Sequence, residues 1–162
     1  MKAGLSKRIW RYRYTLLSAM AIVGCGISAY FLFFKPHIPE CRAVLRSTDQ
    51  LPGKLMQRVL LVSVVPDGAR GVTLLLSGSF FDGGTRYVVE RAMIMDYQRQ
   101  GSNYTLRRKE EVRKSQDNLE KEEVNRRLPM SAPLLHWRIE KIDERHYLFS
   151  GNHAPLFVCT TS

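Results

Sequence analysis

The sequence predicts a mainly β protein carried behind one membrane-spanning helix. Three observations predict it. The stretch Thr15–Phe34 runs for 20 residues with no charge and no proline. Beyond it, apolar residues recur with a period of two in short runs, and turn-forming Asp-Gly and Gly-Ser-Asn sequences separate the runs. Two cysteines, Cys41 and Cys159, stand one at each end of that downstream region.

A helix rises 1.5 Å per residue, so twenty residues span about 30 Å, the thickness of a bilayer's hydrocarbon core. Lys2, Lys7, Arg8, Arg11 and Arg13 precede the stretch, and only Lys35 follows closely. That asymmetry predicts a cytoplasmic N-terminus, with everything after Pro36 across the membrane. Trp10, Tyr12 and Tyr14 then lie at the inner interface and Tyr30 near the outer one. A cleaved signal has a shorter apolar core, whereas Tyr30-Phe31-Leu32-Phe33-Phe34 continues past the small residue Ala29. Ile22-Val23-Gly24-Cys25 is similar to a lipoprotein signal, but Cys25 is followed by more apolar residues rather than a polar tether, so it reads as a membrane-buried thiol. The organisation is a cytoplasmic tail (residues 1–14), a transmembrane helix (15–34), a linker (35–40) extended by Pro36 and Pro39, and an exported domain (41–162).

Within the domain, residues 41–48 form a weak strand candidate, and 57–65 (QRVLLVSVV) a strong one, rich in β-branched residues. Pro66-Asp67-Gly68 turns the chain into 72–81 (VTLLLSGSFF), where Gly78 marks a bulge or a close backbone approach. Asp82-Gly83-Gly84 is a hairpin signal. Residues 86–98 place Tyr87, Val89, Met93, Met95 and Tyr97 on one face, interrupted by Arg91. After the turn at 101–103, Tyr104, Leu106 and Val112 suggest a more polar strand. The run Asp117–Leu128 reads as the one helix of the domain, capped by Asp117 and supported by Glu122–Arg126 and Glu123–Arg127 pairs, packing lightly on the sheet. Residues 135–142, 146–150 and 156–160 are the last strands. Short strands joined by hairpin turns argue a meandering antiparallel sheet or a small barrel.

The formal charge of +10 resembles that of a nucleic-acid binder, but it is unevenly placed. Six of the 25 Lys and Arg flank the apolar stretch, leaving 19 against 15 Asp and Glu beyond it. Charges beside an anchor are topology signals and contacts for anionic lipid, so direct nucleic-acid binding is not expected. A tail of 14 residues is also too short to fold as a DNA-binding domain.

No catalytic signature is present: there is no GxSxG, no P-loop and no HExxH, and neither a CxxC nor an HxxxH pair suggests a metal. No enzyme activity and no cofactor are expected. In an oxidising compartment Cys41 and Cys159 pair naturally as a disulfide, against the alternative of two separate thiols. His136, His146 and His153 fall along the C-terminal strands and are the candidates for pH sensing. His146 and Asp143 are neighbours in a turn, which alone defines no mechanism. Arg91, a charge on an apolar face, needs a partner: Asp117, a carboxylate on another chain, or water reached by snorkelling from an edge.

The segments CRAVL, GVTLLLSG, YVVERAMIMDY, HWRIEKIDERHYLF and PLFVC, in that order and with a cysteine at each end, resemble the FidL-like family of small bacterial inner-membrane proteins. The layout is similar to the fimbrial regulators of the PsaF and MyfF type within it. The resemblance implies a bacterial inner-membrane protein with a periplasmic, lipocalin-like barrel. It further implies an accessory role, like that of ToxS, in binding and protecting the periplasmic domain of a ToxR-like membrane-bound transcriptional activator of virulence or fimbrial genes. Two other roles follow from the same layout: a periplasmic sensor of a small apolar ligand such as a bile salt or fatty acid, and a chaperone for fibre assembly.

Overall fold

The computed structural model describes residues 3–33, 38–51, 54–120 and 122–161. The chain divides into two compact units, Met1–Lys35 and Pro36–Ser162.

The first unit is one helix, α1 (Ala3–Phe33). By length and composition Tyr12–Phe31 is a candidate membrane span. That window starts three residues before the expected Thr15; Phe34 and residues 35–37 of the expected linker lie outside the described residues. Its described side chains, from Tyr12 to Phe31, are all exposed.

The second unit is a closed antiparallel barrel in which every strand pairs with its neighbours in the chain. The strands are β1 (Cys41–Leu51), β2 (Lys54–Asp67), β3 (Gly71–Asp82), β4 (Thr85–Gln100), β5 (Asn103–Arg113), β6 (Leu134–Lys141), β7 (His146–Ser150) and β8 (Pro155–Thr160). All the strands expected from the sequence are present. The up-and-down order is the architecture lipocalins share, so the barrel implied by the family resemblance is the one observed. The tight turns follow the sequence signals: Gly83 and Gly101 both hold φ of 64°, a conformation that costs a residue with a side chain but not glycine.

Alternation explains the core. In β2 the side chains of Leu60, Val62 and Val64 point inward. In β3 Val72, Leu74 and Leu76 do so, and in β4 Val89, Met93, Met95 and Tyr97. With Leu106 of β5 and Phe149 of β7, these side chains fill the interior. Near β8, Phe149 stacks on Phe157 at 4.8 Å between ring centroids, and Trp137 meets both rings edge-on. Gly78 makes the close approach the sequence allowed for, since a Cβ there would lie 2.1 Å from the Val59 carbonyl oxygen.

The barrel closes on a thin seam. β1 meets β8 at the register pair Arg42–Thr160, beside the Cys41–Cys159 disulfide, whose Cα atoms are 5.5 Å apart. The bond joins the first strand to the last, as the sequence suggested. Beyond Arg42, β1 continues along β2 to Leu51 with no ladder partner on its other side among the described residues. β5 likewise pairs with β6 only from Asn103 to Arg107. The long strands β1 to β5 therefore extend past the short ones and leave an opening, which the connection 114–133 spans.

That connection corrects the helix expected over Asp117–Leu128. Among the described residues of that segment only α2 (Glu122–Asn125) is helical. Among the described residues no ion pair joins Glu122 to Arg126 or Glu123 to Arg127. Asp117 does not cap a helix, because its carboxylate is committed to Arg91. Nor does the segment pack lightly: Leu119, Val124, Leu128 and Met130 are all buried in the core. Its ends are tied to both sides of the opening. The Lys114 and Asn118 N–H groups donate to the Glu90 and Val88 carbonyls of β4. Arg58 of β2 donates to the Arg127 carbonyl at 2.9 Å.

Candidate functional site: a charged cluster at the barrel opening

Arg91 is the first residue of the site. Strand alternation places it inward between Val89 and Met93, and its side chain is only 4 % exposed. An isolated buried guanidinium would be prohibitively costly, so its partners define its environment. Its Nε and Nη2 each donate to Asp117 at 2.8 Å, one to each carboxylate oxygen. Its Nη1 donates to Glu111 at 3.0 Å and to the Asn125 amide oxygen at 3.2 Å. The expectation of a buried partner is met by Asp117 and the snorkelling alternative is not. The sequence did not identify Glu111 or Asn125.

Glu111 is brought to Arg91 by an irregularity. The β4–β5 register shifts between Ile94 and Met95, so that Ile94 faces Glu110 while Met95 faces Arg108. Lys109 is the extra residue. In a regular strand Arg108 and Glu111 would point to opposite faces; the bulge turns both inward and sends Val112 out. Arg108 then donates to Glu111 at 2.8 Å, and Arg113 approaches the same carboxylate at 3.4 Å. Three guanidinium groups thus share one glutamate.

The Asp117 carboxylate is fully buried. Burial pushes its pKa up, but the paired Arg91 donors, the N–H groups of Glu90 and Leu119, and the positive charge of Arg91 outweigh burial and hold it below the usual carboxylate range. It is therefore ionised at neutral pH, and it fastens the connection 114–133 to the wall of the barrel.

The three histidines do not meet. His136 lies on β6 beside Thr105, its Nδ1 3.3 Å from the hydroxyl. His153 lies exposed in the β7–β8 turn, and His146 stands at the far end of β7, opposite Thr160. His146 Nδ1 is 2.8 Å from Asp143, whose carboxylate also accepts the N–H groups of Arg145 and His146. The Arg145 and His146 hydrogen bonds together lower the Asp143 pKa, although the group is exposed. This is a self-bonded surface turn. Among the described residues no group of three or more His, Cys, Asp or Glu is arranged to hold a metal ion.

The described residues thus combine one candidate membrane-spanning helix with a closed eight-stranded β barrel, clasped at its opening by a buried ion-pair cluster. A family model described as "FidL-like putative membrane protein" matches residues 78–159, about half of the chain. The match runs from β3 to β8 and takes in Arg91, Glu111, Asp117 and Cys159. The chain belongs to this FidL-like family. No curated protein matches it.

Proposed function

We propose that this protein is a non-enzymatic accessory regulator in the bacterial inner membrane. Its N-terminus is cytoplasmic and its barrel periplasmic. The barrel binds and stabilises the periplasmic domain of a ToxR-like membrane-bound transcriptional activator. The reading of orientation rests on the basic residues before the apolar stretch. The observation that carries the partner is the free edge of β1. From Val44 to Leu51 the strand offers backbone donors and acceptors with no ladder partner among the described residues. Such an edge is a template for an added strand. Beside it Val44, Val59 and Leu61 are exposed on the outer face, and Val44 lies directly opposite Leu61 in the register. An extended segment of the partner would gain main-chain hydrogen bonds along the edge and apolar contact beside it. Anchoring both proteins in one membrane raises their effective concentration.

The test is to co-express the full chain with the partner and measure co-purification and melting of both domains. Mutual stabilisation, lost in Val44→Glu/Leu61→Glu while the barrel's own melting is retained, supports the proposal. A monodisperse, stable chain that ignores the partner defeats it. An apolar ligand within the barrel gains no support from an interior filled by side chains such as Leu60, Leu74, Met95 and Phe149. A fibre-assembly chaperone would use the same β1 edge, so retention of fibre subunits in place of the regulator would redirect the reading.

A further inference from the structure

The charged cluster borders a cavity of about 260 Å³ at the barrel opening. Arg91, Arg108, Arg113 and Arg126 line it against two carboxylates, Glu111 and Glu122; Asn125 and an apolar floor that includes Met93 complete it. Arg91 is already satisfied by Asp117, Glu111 and Asn125. The other guanidinium groups are not saturated. Each carries five N–H donors, yet Arg108 and Arg113 each make a single side-chain bond among the described residues, both to Glu111. Moreover Arg91 and Arg113 are direct partners in the β4–β5 register, on the inward face. Like charges directly opposite one another in an antiparallel pair repel; Asp117 pairs with Arg91, and Arg113 has only its share of Glu111 among the described residues.

We infer that this cavity is a binding site for a small hydrophilic oxyanion, a phosphate- or carboxylate-bearing solute, held by Arg108 and Arg113. Such a ligand supplies the acceptor oxygens that Glu111 alone cannot, and it offsets the surplus of positive charge. Planar guanidinium forks bind these groups in bidentate fashion. The cavity, about 260 Å³, is large enough to accommodate inorganic phosphate or citrate. Because Asn125 and Arg126 belong to the connection that spans the opening, an anion here bridges that connection to β5. Occupancy is therefore coupled to how firmly the opening is closed.

The experiment uses the full chain in a non-ionic detergent, with inorganic phosphate and citrate as probes at constant ionic strength. Calorimetric titration and thermal melting are the readouts. The expected result is saturable binding of at least one probe with a matching rise in melting temperature. Arg113→Gln should weaken the affinity by about tenfold or more, the loss of one or two charge-assisted hydrogen bonds. Arg108→Gln should do the same. Should Arg108→Gln fold poorly, Arg113→Gln still decides the matter, because that side chain is 45 % exposed. Arg46→Gln, on the outer face of β1, should bind as the parent does. No saturable response to either probe, an equal response to sodium chloride, or undiminished binding in Arg113→Gln would overturn the inference.

Discussion

Arg91 and Asp117, 26 residues apart, are joined by two parallel 2.8 Å hydrogen bonds between a barrel wall and the segment that spans its opening. Removing one member leaves the other charged and buried. Asp117→Ala and Arg91→Ala are each expected to cost about 3–5 kcal/mol. The double variant Arg91→Met/Asp117→Leu should lose much less than the sum of the two singles, because no orphan charge remains. Denaturant titration of all four proteins checks this. Strictly additive losses would show that the two residues act separately.

The same carboxylate sets an acid limit. Its pKa is lowered in the folded state, so its stabilising contribution is fully present above the ordinary aspartate value of about 3.9 and is lost as pH falls through the folded value. Melting temperature should therefore drop more steeply below about pH 4 in the parent than in Asp117→Ala. Parallel acid slopes would assign the acid sensitivity to other groups. Asp143 is also lowered and shifts in the same direction, which makes Asp143→Asn the matching control.

The Cys41–Cys159 bond closes a loop across a sequence separation of 118. Loop-closure entropy alone assigns such a cross-link about 4–5 kcal/mol. Cys41→Ser/Cys159→Ser should melt well below the parent, and the parent should match it once reduced. The loss should fall first on the β1–β8 seam, which has a single register pair to replace the bond. Hydrogen exchange at β8 faster than at β3 in the variant is the expected signature.

Gly78 is an absolute steric requirement of the β2–β3 pairing. A methyl group there would meet Val59 and Leu60 backbone atoms at 2.1 and 2.9 Å, and backbone cannot move aside as a side chain can. Gly78→Ala is expected to cost at least about 1–3 kcal/mol, the range of overpacked cores. Gly84→Ala, where nothing lies within 4 Å, should be close to neutral. Comparing the two melting curves tests the distinction.

Twofold alternation and turn chemistry made the strands legible, because both are local: Leu60-x-Val62-x-Val64 fixes a face and Gly83 fixes a turn. Arg91 was legible as an anomaly on its face. Its surroundings were less so. The bulge at Lys109 lies in an unbroken charged run, RRKEE, where one extra residue leaves no periodic trace, so Glu111 could not be placed on Arg91's face. Asp117 carries the signal of a helix cap, but a buried arginine competes for the same oxygens and wins, and the helix shrinks to Glu122–Asn125. The histidines near the C-terminus lie close along the chain, yet the β7 strand separates His146 from His153 by its whole length.

Strictly sequential strand pairing dictates an order of assembly. Each strand pairs with its neighbour in the chain, the widest of these spans being Asn103–Arg138 across the connection 114–133, whereas the β1–β8 seam must close a loop of nearly the whole domain. Local pairings form before the entropy of a long loop can be overcome. The thiols of Cys41 and Cys159 thus come within reach only after the intervening strands have found their registers. Oxidation becomes a molecular timestamp of completed folding: a chain stalled at any earlier hairpin keeps two free thiols and an unzipped flank.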